Sequence, residues 1–99
     1  MAFEMLVGLN VVDDEAYSAY RRGMTPIMER YGGSFRYDFR VEKTLKSEVS
    51  HPINRVFIIS FPDLDARKGF FADPEYQKVR KEFYVPAVKD TAILWEHNS

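Results

Sequence analysis

The run Arg55-Val56-Phe57-Ile58-Ile59-Ser60-Phe61 constrains the fold more than any other part of the chain. Bulky aromatic and β-branched residues fall on both of its faces. As a strand it must therefore be covered on both sides, which places it in the middle of a sheet. Three other segments read as its neighbours. From Phe3 to Val12, the residues Phe3, Met5, Val7, Leu9 and Val11 alternate with Glu4, Leu6, Gly8 and Asn10, giving one apolar and one mixed face. In the next, Phe35, Tyr37, Phe39 and Val41 share a face, and Arg36, Asp38, Arg40 and Glu42 share the other with alternating charge. The last, Thr91 to Glu96, sets Ile93 and Trp95 against Ala92 and Leu94.

Helices join these strands. Asp13-Asp14-Glu15 caps and charges the start of a helix over 14–31. Its Tyr17, Tyr20, Met24, Ile27, Met28 and Tyr31 recur at spacings of three and four and form one stripe. Pro26 removes the hydrogen bond to residue 22 and predicts a bend, eased by Gly23. Gly32-Gly33 stops the helix. The polar stretch Lys43 to Asn54, with His51-Pro52, is a loop. Pro62-Asp63 precedes a short helix over 64–71, and Asp73-Pro74 opens a further helical piece with Tyr76, Val79, Arg80 and Phe83, ending near 84–86.

The resulting order is βαββαβ. Two βαβ halves predict an α+β, ferredoxin-like domain spanning residues 1–99, with an antiparallel sheet in the order 4-1-3-2 and helices on one face. That order makes strand 3 central, as its composition demands, and puts the charged strand 2 at an edge. The uncovered sheet face would then carry Leu6, Leu94 and one apolar set of strand 3. An exposed apolar patch calls for a partner, and a second copy packed sheet to sheet is the economical one.

Fifteen aromatic residues and a 45% hydrophobic content are enough for a core, which excludes disorder as the default state. Fourteen basic against fifteen acidic residues leave a net charge of −1, which argues against general nucleic-acid binding. Strand 3 also lacks the glycine-containing basic signature of the RNA-binding domain that shares this element order. With no cysteine there is no disulfide, iron–sulfur cluster or thiolate zinc site. The apolar start is too short and too interrupted for a membrane helix, and it makes a poor signal peptide, so a cytoplasmic protein is expected.

Three strings carry a resemblance. They are Tyr31-Gly32-Gly33-Ser34-Phe35 after a helix containing Pro26, Phe61-Pro62-Asp63 followed by Ala66 and Phe70-Phe71, and Asp73-Pro74-Glu75-Tyr76-Gln77. Together they resemble a family of small bacterial proteins of unknown function in the dimeric α/β-barrel superfamily. One departure is Lys46-Ser47-Glu48-Val49, where that family's pattern leads one to expect a Glu-Gly pair. The resemblance implies a homodimer whose two sheets close into one barrel, with ligand pockets between helices and sheet. It also brings in a superfamily of cofactor-free monooxygenases, haem-degrading enzymes, lactone isomerases and amino-acid-sensing regulators.

Candidate chemistry rests on a few side chains. His51 and His97 are the only imidazoles, with no metal-ligand spacing, so neither a metal nor another cofactor is expected. His51 is the best acid/base candidate, or else a solvated loop residue. His97 reads as part of a frayed end. Arg36 is a candidate for binding a ligand carboxylate and Asp38 for acting as a base; the competing reading is an edge strand protected by charge. Tyr17, Tyr20, Tyr31, Tyr76 and Trp95 either line an aromatic pocket or simply fill the core. Of these, Tyr20 is kept as a catalytic candidate, and Tyr76 and Trp95 as ligand contacts. Lys78, Arg80 and Lys81 read as a solvated helix face. The expectation is a homodimer binding a small, partly apolar organic ligand between helices and sheet, without nucleic acid or membrane. Any chemistry would be cofactor-free proton transfer or oxygen insertion. The alternative is a non-enzymatic sensing or interaction module whose pocket is filled by its own side chains.

Overall fold

The structure is a computed structural model describing residues 2–98. Its elements are β1 (Phe3–Val11), α1 (Asp14–Arg30), β2 (Ser34–Arg40), β3 (Arg55–Phe61), α2 (Leu64–Ala72), α3 (Pro74–Val79), a π-helical turn (Arg80–Tyr84), a short helical turn α4 (Val85–Ala87) and β4 (Val88–Asn98). The sheet order is β2-β3-β1-β4, the expected order read from the other edge, and all pairings are antiparallel. This is the ferredoxin-like arrangement.

Side-chain caps fix the helix starts. Asp13 accepts a hydrogen bond from the Ala16 amide at 3.0 Å, and Asp63 one from the Ala66 amide at 2.7 Å. Asp73 accepts from the amides of Glu75 and Tyr76 and also from the Tyr31 hydroxyl, which ties the end of α1 to the start of α3. After α1, Gly32 takes a positive φ of 75°, and the Gly33 amide bonds back to the Met28 carbonyl. A Cβ at Gly33 would lie 2.6 Å from Met28 and 2.8 Å from Phe61, so the chain passes there only without a side chain.

The core lies between the helices and one sheet face. Phe3, Met5, Val7, Leu9 and Val11 are all buried, as are Phe57, Ile59 and Phe61 of β3 and Tyr17, Tyr20, Met24, Ile27 and Met28 of α1. Each set is the one its periodicity picks out.

The edge strands depart from simple alternation. In β2, Phe35 pairs with Ile59 and Tyr37 with Ile58, so Arg36 is an extra residue in a bulge. In β4, Trp95 pairs with Leu6 and Ile93 with Val7, so Leu94 is extra; a second bulge falls at Lys89. Each bulge inverts which side chains face the helices. Asp38 therefore joins Phe35 on the helix side, while Tyr37 and Phe39 turn to the open face, 53% and 56% exposed. Trp95 lies opposite in face to Ile93, not beside it. Across the open face run the rows Tyr37–Ile58–Leu6–Trp95 and Phe39–Val56–Gly8–Ala92. The last strand is longer than periodicity predicts, and His97 is not frayed: it pairs with Glu4 and stacks on Trp95 at 5.2 Å.

Asn54 stitches the end of the long loop to β1. Its side chain accepts from the Val11 amide and donates to the Val11 carbonyl, while its backbone amide donates to the Leu9 carbonyl. Buried Asn10 donates in turn to Asp90.

Candidate functional site

The helix layer does not seal against the sheet. Between them is a cavity of about 260 Å³. Its floor is Met5 and Val7 of β1 with Phe57 and Ile59 of β3. Tyr17, Tyr20 and Met24 of α1 form one wall, and Phe70, Phe71 and Tyr76 form another. Thr91 and Ile93 of β4, with Tyr84, lie at the side where the edge strand is exposed.

The polar features of the cavity come from tyrosines and arginines. The hydroxyls of Tyr20 and Tyr76 hydrogen-bond at 2.9 Å in a buried setting, joining α1 to α3. Two hydroxyls carry two protons and their mutual bond uses one. Among the described residues the pair makes no other hydrogen bond, so one O–H is left to donate. Burial pushes the pKa of both phenols upward, most strongly at Tyr20, where the Tyr76 hydroxyl adds to the shift. Both stay protonated at neutral pH. Tyr84 is raised by burial too and hydrogen-bonds Thr91.

Arg21 occupies the β2 side of the cavity. Its guanidinium carbon lies 3.8 Å from the Phe35 ring centroid, and its Nε donates to the Tyr17 hydroxyl at 2.9 Å. Its terminal nitrogens reach Asp38 at 3.1 and 3.3 Å. Arg55 grips the same carboxylate with Nε at 2.8 Å and a terminal nitrogen at 2.9 Å. The hydrogen bond from Arg55 foremost, with the positive charge of both arginines, holds the Asp38 carboxyl below the usual carboxylate range despite partial burial. A carboxylate receiving four N–H donors is a weak base, and Asp38 does not line the cavity.

The residues singled out in the sequence therefore divide. Tyr20 and Tyr76 meet in the cavity. Arg36 projects elsewhere and pairs with Glu4 at 2.8 Å. Trp95 is on the open sheet face. His51 sits in the 41–54 loop, its Nδ1 3.0 Å from the Pro52 carbonyl oxygen. Arg21, Arg67 and Arg80 line the cavity, though no motif or spacing marks them. Arg80 does so while staying exposed with Lys78 and Lys81, as expected of a solvated helix face. A second, more open depression lies under the loop, bordered by Leu45, Val49, Ile53 and Leu94. Among the described residues no three His, Cys, Asp or Glu side chains gather as for a metal ion, and no helix is long and apolar enough to cross a membrane.

The sequence profile of a family described as a domain of unknown function, DUF1330, matches residues 5–94. No curated protein matches the chain. Among solved structures, a protein of unknown function from Rhodopseudomonas palustris is 25% identical with a TM-score of 0.83, over 99% of this chain and 82% of that one. A DABB family protein with a ferredoxin-like fold from Mesorhizobium loti is 13% identical with a TM-score of 0.69, over 99% and 96% of the two chains. A dimeric ferredoxin-like protein of unknown function from Jannaschia sp. CCS1 is 11% identical with a TM-score of 0.61, over 100% of each. The last two are likenesses of fold alone.

Proposed function

The chain belongs to the DUF1330 family, and from its cavity we propose that it binds a small, partly apolar organic molecule between helices and sheet, as a homodimer. The observation that carries this reading is the unfilled aromatic cavity with a leftover tyrosine O–H at its wall. An apolar enclosure with a few oriented polar groups is the usual form of a small-molecule site. The volume is modest. An engineered apolar cavity of about 150 Å³ holds benzene, so about 260 Å³ suits a single ring with substituents.

The homodimer rests on the open sheet face. Tyr37, Phe39, Leu94 and Trp95 are exposed beside the partly buried Leu6, Val56 and Ile58, in continuous rows across the strands. A second copy would cover these rows. The dimeric relative of the same fold points the same way.

The lining includes no carboxylate and no imidazole. Its polar groups donate hydrogen bonds or carry positive charge. Cofactor-free chemistry on the bound molecule would find hydrogen-bond donors in this lining but no base, the Tyr20 and Tyr76 phenols being held protonated, and oxygen insertion would further take dioxygen as its oxidant. Binding is thus the role the geometry favours.

Titration with phenol, read by NMR at the methyl groups of Ile59 and Met24, tests the site. Saturable shifts are expected, weakened several-fold in Tyr20→Phe. No shift at millimolar phenol would remove the cavity as a binding site. Light scattering across a dilution series tests the assembly: a dimer is expected, converted to monomer by Trp95→Asp. A monomeric wild type would refute the second copy.

A further inference from the structure

Positive charge in the cavity wall is unevenly committed. Arg21 is held by Asp38, with 3.1 Å between their charged atoms. Arg67 faces Glu96 at 3.7 Å. Arg80 makes no ion pair and no side-chain hydrogen bond among the described residues, and it is the exposed one of the three.

A chain of contacts places Arg80 at the opening. Its guanidinium carbon lies 5.2 Å from the Tyr84 ring centroid. The Tyr84 hydroxyl bonds Thr91 on the exposed edge strand, while the Tyr84 ring lies 4.9 Å from the Tyr20 ring within the wall. Tyr84 therefore spans from rim to interior, and the free cation lies against it at the rim. Lys78 and Lys81 flank Arg80 in sequence against one acid, Glu82, and no acidic side chain lines the cavity. The rim favours an anion.

The interior has the opposite preference. Burial, foremost, raises the pKa of the Tyr17, Tyr20 and Tyr76 phenols, so negative charge on an oxygen in that wall is unfavourable. Eight of the seventeen lining residues are aromatic, which suits an apolar ring. A molecule that meets both conditions keeps its charge at the opening, where water still reaches it, and buries only its apolar part.

Resting on the binding role proposed above, we infer that the occupant is an amphipathic organic anion, its ring in the cavity and its charged head at the opening beside Arg80.

The test uses phenylacetate, phenylacetamide and phenethylamine, which present one ring with a negative, neutral or positive head. Each is titrated against the intact protein by NMR at the Ile59 and Met24 methyl groups. An ion pair at an exposed rim is weak, so phenylacetate is expected to bind about fivefold more tightly than the amide at low salt. The amine should bind more weakly than the amide. The anion preference should vanish in about 1 M salt, which screens exposed charges within a few ångströms. Arg80→Gln should erase the preference while leaving amide affinity within about twofold of wild type, and Arg80→Lys should retain it. Equal affinities for the three molecules, with the methyl signals shifting, would overturn the anion and spare the cavity. A preference for phenylacetate that survives in Arg80→Gln would overturn the assignment to Arg80. No methyl shift from any of the three would sink the anion and the cavity together.

Discussion

Replacing Asp38 with Asn tests whether the bulge in β2 has turned this residue inward. Asn keeps the size and one acceptor oxygen but removes the charge that Arg21 and Arg55 share. The side chains are 31% exposed for Asp38, 16% for Arg21 and 18% for Arg55, so the pairs are neither free in solvent nor fully buried. Exposed ion pairs contribute roughly 0–1 kcal/mol. Breaking a buried one costs roughly 3–5 kcal/mol. A loss of about 2 kcal/mol is expected here, which in a domain of this size lowers Tm by roughly 10 °C. The effect should depend on pH. The Asp38 pKa is lowered from its reference of 3.8 by folding. Its contribution is therefore fully present above about pH 5 and is lost as pH falls through the folded-state value. Urea denaturation of both proteins at pH 7 and near pH 3, at one fixed protein concentration, measures the gap. A variant within about 0.5 kcal/mol of wild type at pH 7, or a gap that does not shrink in acid, would refute the paired and inward placement.

Two further changes probe the frame around the cavity. Gly33→Ala forces a methyl against Met28 and the buried Phe61 ring, and should cost about 1–3 kcal/mol in chemical denaturation; a neutral result would mean that the helix end is free to move away from β3. Asn54→Ala removes the side-chain bonds to Val11 and should cost about 1–3 kcal/mol. Amide exchange should then accelerate at Val11, and unchanged protection there would show that the loop end is held by other means.

Much of the fold is legible because the central strands and α1 obey strict periods. The doubly apolar β3 marks the middle of the sheet, and Asp13, Asp63, Asp73 and Gly32 mark helix ends through side-chain chemistry that acts over three or four residues. The phase of the edge strands is not legible. Alternation has no symbol for an inserted residue. Arg36 and Leu94 each reverse the faces of the residues beyond them, so Asp38, Tyr37 and Trp95 lie opposite to a plain reading. The cavity is half visible. Tyr20 and Tyr76 stand out as members of aromatic stripes, but their meeting across 56 positions is a matter of packing. Arg67 and Arg80 give no signal, because a long cationic side chain on a short helix looks the same whether it reaches water or lies along aromatic rings. The π-helical turn at Arg80–Tyr84, at whose end Tyr84 reaches the cavity, also has no mark in the sequence.

The bulges at Arg36 and Leu94 carry a consequence for how such a chain can change over generations. Both lie in the outer strands, while β1 and β3 keep an unbroken register with one another. Because each inserted residue stands outside the pairing, its codon can be lost without re-phasing the strand: with Arg36 or Leu94 removed, Tyr37 still lies across from Ile58 and Trp95 across from Leu6. Losing a paired codon instead, with the bulge kept, moves each later side chain of that outer strand to the other face and leaves the central pair untouched. What the open face presents can drift by insertion and deletion at the margins, while the floor of the cavity, built from Met5, Val7, Phe57 and Ile59, is inherited intact.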